Sequence, residues 1–267
     1  MSNRKLCVGI NQNFGVDMSE QILLLSKIGF DGFFSTWDEN IADYARLAKE
    51  NGLIYQFIHI PNYYTEKMWL NREEAQVAID LWCKCIDDCQ KNNIELAVVH
   101  VFRGIGKEAK PTKEGIENFG YVIKYARKRN VKIAFENTEG ERYLEAIFDN
   151  FGSLDNVFFC WDTGHELCYN RGKSMMQKFG KYIITTHLND NMGVRSKDGM
   201  ITPNDDMHLL PFDGIGDWEQ IAKQLKEFNF TDILSFEVKK YYYTENTLEE
   251  FFKKAYLRAK EFESLLN

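Results

Sequence analysis

The chain has 267 residues, 44% of them hydrophobic, with four prolines and a formal net charge of −7. That size buries one large core, and no Ser/Gly-rich or low-complexity linker interrupts it, so a single domain over residues 1–267 is expected. The negative balance argues against nucleic acid as a partner, because affinity for a phosphate backbone rests on clustered Lys and Arg, and no apolar run approaches the length of a membrane span.

The first residues, Met-Ser-Asn-Arg-Lys5, run straight into a β-like run without a secretory signal, so a cytoplasmic protein is expected. Further β-like runs begin near Asp31, Ile54, Glu95, Val131, Val157, Ile183 and Asp232. Between them lie stretches with apolar residues at helical spacing, such as Ile22, Leu25 and Ile28, or Ile41, Tyr44, Ala45 and Ala48. Gly29 and Gly52 stand where glycines end helices, and Asn71-Arg-Glu-Glu74 has the spacing of a capping box before a long helix through Trp82. Cys83, Cys85 and Cys89 fall in that helix as small apolar packers. The six cysteines show no zinc-ribbon spacing, which points to free thiols in a reducing compartment. The basic run Arg127-Lys128-Arg129 closes the fourth helix.

Strand and helix alternate eight times, which implies parallel pairing and closure into a (β/α)8 TIM barrel. An open doubly wound sheet is the alternative, but Gly9-Ile-Asn-Gln-Asn-Phe-Gly15 does not fit the dinucleotide fingerprint. The longest insertions follow strands three, four and seven and would sit on the catalytic face.

The residues that close the eight runs are Asn11, Trp37, His59, His100, Glu136, Asp162, His187 and Glu237. Six of these are histidine or carboxylate placed directly after apolar stretches. Burying such groups is costly unless they are paired or bind a metal. The two remaining histidines follow the same rule, His165 three residues after Asp162 and His208 in the seventh loop as Asp206-Met-His208. Imidazole and carboxylate without a nearby thiolate suit a borderline or hard divalent ion.

The segments Phe-Glu136-Asn, Asp162-Thr-Gly-His165, His187-Leu-Asn-Asp190-Asn, Asp206-Met-His208 and Phe-Glu237 resemble the xylose-isomerase-like barrels. That family includes sugar (phosphate) isomerases and epimerases, inositol-pathway enzymes and type-four abasic-site endonucleases. In its epimerase-like members, the resemblance implies, one divalent ion is held by residues that look like Glu136, Asp162, His187 and Glu237. The ion is manganese, zinc or cobalt, with magnesium admitted. In the endonuclease branch three zinc ions use a larger set that looks like His59, His100, Glu136, Asp162, His165, His187, Asp206, His208 and Glu237, and every one of those types is present here. Two departures stand out: the turn that is usually Pro-Gly reads Pro211-Phe212-Asp213-Gly214, and the substrate arginine of ketose epimerases has no counterpart in Asn191-Met192-Gly193.

These residues imply a metal-dependent isomerase or epimerase acting on a small sugar or polyol, with Glu136 and Glu237 as the proton-transferring pair. His59, His100, His165, Asp206 and His208 are expected to bind substrate or additional metal. Trp37 and Trp69 are candidate sugar platforms, and Lys239 a candidate contact for a charged substrate group. A phosphate site is considered at Gly214-Ile-Gly216, before the helix that opens at Asp217. The alternatives are a multi-zinc phosphodiester hydrolase, a dehydratase or lyase using the same enolate chemistry, and a non-catalytic sugar-binding relative; a homo-oligomer is left open.

Overall fold

The computed structural model describes residues 4–104 and 110–267, so the first three residues of the expected N-terminus lie outside the described part. Eight parallel strands form one sheet: β1 Leu6–Ile10, β2 Gly32–Thr36, β3 Ile54–His59, β4 Leu96–His100, β5 Lys132–Glu136, β6 Val157–Asp162, β7 Ile183–His187 and β8 Leu234–Phe236. Their order, β7-β6-β5-β4-β3-β2-β1-β8, follows the chain around a ring. The β7–β8 joint carries one parallel bridge, Leu188 with Phe236, just past the end of β7. Leu188 N–H donates to Ser235 O (2.8 Å), and the Thr186 hydroxyl accepts from Ser235 N–H (3.1 Å), so a side chain stands in for part of the missing ladder.

The helices between strands follow the expected order: α1 Met18–Ile28, α2 Ile41–Glu50, α3 Arg72–Lys91, α4 Lys113–Arg127, α5 Glu141–Phe151, α6 Thr163–Cys168, α7 Met175–Phe179, α8 Trp218–Glu227 and α9 Leu248–Leu265. Local chemistry sets their ends. The Asn71 side chain accepts from the N–H groups of Glu73 and Glu74 at the start of α3, and Gly29 ends α1 at φ 113°, where a side chain would be strained. The one core cluster between barrel and helices is dominated by aliphatic and phenyl side chains, including Phe33, Phe119, Phe135, Phe159 and Phe236. A smaller cluster of Phe34, Phe57, Val98, Ala134 and Cys160 plugs the barrel interior below the site.

Strand parity then decides what reaches the open end. β4, β5 and β6 pair with His100 opposite Glu136 and Glu136 opposite Cys160, while Asp162 pairs with His187 across β6 and β7. Every one of these strands delivers its last residue to the C-terminal rim, the end of a (β/α)8 barrel where function is built. The basic run at the end of α4 lies next to the start of β5, on the opposite face. No helix among the described residues is long and apolar enough to cross a membrane.

Candidate metal centre

All five histidines of the chain meet at the rim. Glu136, fully buried, lies at the centre of four of them: its Oε2 is 3.1 Å from His59 Nε2 and 3.2 Å from His100 Nε2. Its Oε1 is 3.0 Å from His165 Nδ1 and 3.1 Å from His187 Nδ1. His187 Nδ1 is also 3.2 Å from Glu237 Oε2. One nitrogen or oxygen from each of Glu136, Asp162, His187 and Glu237 falls within 4.8 Å of the others, so the four expected residues do converge. Two further groups meet the same criterion, His59 with Glu136 and His187, and His165 with Asp206 and His208.

The rings are held from behind. His59 Nδ1 donates to Ile60 O (2.9 Å), His165 Nδ1 to Asn137 O (2.9 Å) and His208 Nδ1 to Glu237 O (3.0 Å). A carbonyl only accepts, so each of these rings carries a proton on Nδ1 and turns Nε2 inward, toward Glu136 from His59 (3.1 Å) and toward Asp206 from His208 (2.9 Å) and His165 (3.4 Å). The His187 ring stacks on Phe34, 5.1 Å between centroids, which fixes its plane. Asp162 caps α6 by accepting the His165 N–H (2.6 Å), and Asn189 Nδ2 donates to both of its oxygens (3.1 Å each). Asn137 exchanges two hydrogen bonds with the Asp162 backbone, both 2.8 Å. Gly164 makes room for this arrangement, because a Cβ there would stand 1.8 Å from Asn189 Oδ1.

The electrostatics call for a cation. Burial raises Asp162 to about 6, opposed by His165 and reinforced by the charge of Glu136. Burial also resists ionisation of Glu136, but His187 and His100 outweigh it and hold that carboxyl well below its ordinary range. Burial resists charge on His165 too, and Asp162 with Asp206 overcomes it and raises its pKa well above the usual value. Burial acts the other way on His100, whose pKa is lowered despite its contact with Glu136. Glu136 Oε1, both ring nitrogens of His187 and Asp206 Oδ1 are buried without a hydrogen-bond partner. Buried polar atoms are left unpaired at a cost of kilocalories unless something else satisfies them. A divalent ion fits this donor set, all imidazole nitrogen and carboxylate oxygen, in charge and in ligand type.

Above these groups opens a cavity of about 310 Å³ lined by Trp37, Tyr63, Lys239 and the inward faces of His59, His100, His165 and His208. Trp37 is anchored by its indole N–H on Asp88 (2.8 Å), and Lys239 Nζ sits 3.2 Å from Asp206 Oδ2. Trp69 is a correction. It is 3% exposed, donates its indole N–H to Val101 O (2.8 Å) and packs on Phe119 and Tyr143, so it belongs to the layer behind the mouth. Its place in the third loop suggested otherwise, but a short 3-10 turn over Thr65–Trp69 rolls it inward.

The phosphate site considered at Gly214-Ile-Gly216 is also corrected. Gly216 N–H already donates to Asp190 Oδ1 (2.9 Å) and Ile215 N–H to Asn191 O (2.9 Å). Asp190, fully buried, takes the Trp218 indole N–H on Oδ2 (2.9 Å) and clamps the loop to α8. In the turn that departs from Pro-Gly, Phe212 itself adopts the left-handed conformation, φ 70°, with its ring against Trp218. Asn137, Asn189 and Asp190 had assigned no role in the sequence, although all three lie inside the quoted motifs.

Part of the chain, 55% of it, is 33% identical over 168 residues to an uncharacterized protein, y4fM, of Sinorhizobium fredii (strain NBRC 101917 / NGR234), and the match spans half of that relative's length. Among solved structures, the IolI protein with a bound zinc atom superposes with a TM-score of 0.79 at 18% identity, covering 98% of this chain and 99% of that one. D-psicose 3-epimerase from Clostridium cellulolyticum H10, solved with D-tagatose, superposes with a TM-score of 0.71 at 13% identity, covering 97% and 99%. Both likenesses are likenesses of fold. Residues 15–258 match the family model of the xylose isomerase-like TIM barrel, and the chain belongs to that family.

Proposed function

We propose that this protein is a divalent-metal-dependent isomerase or epimerase of a small sugar or polyol. The observation that carries the reading is the convergence of Glu136, Asp162, His187 and Glu237 within 4.8 Å, with Glu136 Oε1 and both His187 nitrogens buried and unpaired. The zinc in the IolI protein and the sugar in the epimerase structure, both on this fold, support it.

Glu136, Asp162, His187 and Glu237 would hold the ion, which when bound supplies Lewis acidity and positive charge to a carbonyl and its neighbouring hydroxyl. The protein's own groups do the rest. Glu237, less buried than Glu136 and on the cavity wall, takes the proton from the carbon between carbonyl and hydroxyl; Glu136 is the partner that returns one. His59, His100 and His208 line the cavity and would orient substrate oxygens there. Trp37 offers an apolar face on which a sugar ring can pack and exclude water. Proton removal and return on opposite faces inverts the centre; return to the neighbouring carbon moves the carbonyl.

The test is exchange. Protein loaded with Mn²⁺, Co²⁺ or Zn²⁺ is incubated with ketoses in deuterated water, and isotope entry next to the carbonyl is followed by NMR. Equal exchange by metal-free protein ends the proposal.

The group of His165, Asp206 and His208, with Asp206 Oδ1 unpaired, favours a second reading in which more than one ion is bound and a phosphodiester is hydrolysed. Against it, the run Arg127-Lys128-Arg129 lies at the far end of the barrel, where it cannot steer a polyanion to the site. Elemental analysis separates one ion per chain from three.

A further inference from the structure

The cavity over the candidate ligands continues into a second chamber of about 600 Å³, roughly twice the inner one at about 310 Å³. The two share the walls formed by Asn62, Tyr63, His100, His165, Asp206 and Lys239, so the space is one elongated cleft with the reactive groups at its inner end. A single sugar ring is matched by the inner chamber alone, since pockets of about 300 Å³ are at the small end of ligand sites. The outer chamber is then left for something covalently attached to that ring.

Its chemistry is that of a carbohydrate site. Tyr63, half exposed at the junction, and Tyr169, whose ring packs 4.9 Å from His165, contribute aromatic rings to its walls. The hydroxyls of both tyrosines and the carboxylate of Glu66, which also lines this chamber, have no hydrogen-bond partner among the described residues. Aromatic faces beside uncommitted polar groups are what a sugar ring requires, because it has an apolar face and a rim of hydroxyls.

We infer that the substrate is a disaccharide or glycoside, with one ring over Glu136 and Glu237 and the second in the chamber bounded by Tyr169 and Glu66. The inference rests on the isomerase reading above and adds the size and class of its substrate.

The experiment compares D-fructose with isomaltulose, a glucosyl-fructose whose ketose end is free to react, using metal-loaded protein and isotope exchange as readout. A kcat/KM at least tenfold higher for isomaltulose is expected, and Glu66→Trp, which fills the outer chamber, lowers that ratio at least fivefold. Tyr169→Phe, a smaller change, is the second variant and lowers the ratio in the same direction. Exchange with D-fructose that is equal to or faster than with isomaltulose overturns the inference and leaves the isomerase reading standing. Exchange with neither sugar overturns the isomerase reading, and the inference falls with it.

Discussion

Glu136 Oε1 faces His187 Nδ1 across 3.1 Å, and neither atom makes a hydrogen bond. Two buried polar atoms so close and yet misaligned for bonding are aimed at a common third point. Loading the protein with Zn²⁺ or Mn²⁺ at about a hundredfold excess over its dissociation constant is expected to stabilise it by about 2.7 kcal/mol. For a chain of this size that raises Tm by roughly 5–11 °C. Calorimetry before and after chelation checks it; an unchanged Tm together with no retained metal refutes the centre.

Glu237→Gln keeps the shape of the side chain and removes its basicity. Isotope exchange is expected to fall by about 10²–10⁴-fold, the usual contribution of a positioned acid or base. Metal content measured on the same preparation tells lost proton transfer from a lost ion. Full exchange activity would remove Glu237 from the chemistry.

Gly164→Ala places a methyl where Asn189 Oδ1 now lies, 1.8 Å from the ideal Cβ. Asn189 must turn, and Asp162 loses the amide that grips both its oxygens. Metal affinity is expected to drop roughly 10–100-fold, as when other groups that orient ligands are lost. Competition with a metal-sensitive dye measures this, and an unaltered affinity would show that Asn189 has no hold on the centre.

Asp190→Asn is nearly isosteric but turns an acceptor into a donor. The Oδ1 of Asp190 accepts from Asn191 and Gly216, and Oδ2 from Trp218, so either orientation of the new amide points N–H at N–H. A loss of about 3 kcal/mol is expected, in line with a charged hydrogen bond replaced by a buried unpaired donor. Chemical denaturation reads it directly; a change below about 1 kcal/mol would contradict the clamp described for this loop.

Periodicity made the barrel legible through eight alternations of strand and helix, and six of the eight runs ended on a histidine or carboxylate that had no reason to follow an apolar stretch. Six of the nine candidate ligands could be picked out for the same reason, since burial of His100 or Glu136 at a strand end needs a partner and the need is visible before the partner is; His165, Asp206 and His208 lie past the strand ends and joined the set through the histidine pattern and the family resemblance. Trp69 was misplaced because loop membership says nothing of which way a side chain turns, and a 3-10 turn decided it. Asn189 and Asp190 are polar residues in a loop, a pattern that fits solvent as well as support. Only their burial, 1% and 0% exposed, separates the two. Gly214-Ile-Gly216 could be considered as an anion cradle because nothing in the chain's order reveals that Asp190 reaches back across the loop to occupy the Gly216 amide.

The joint between β7 and β8 is fastened by the Leu188 bridge and by the hydroxyls of Thr185 and Thr186 on Ser235, and His187 and Glu237 stand on its two sides, 3.2 Å apart. An ion gripped by both would rivet the ring shut at its thinnest weld. On the proposed reading, acquiring the ion and locking the architecture would be two faces of one event. A starved cell would hold a population of loosened cylinders, open to proteolysis along that line.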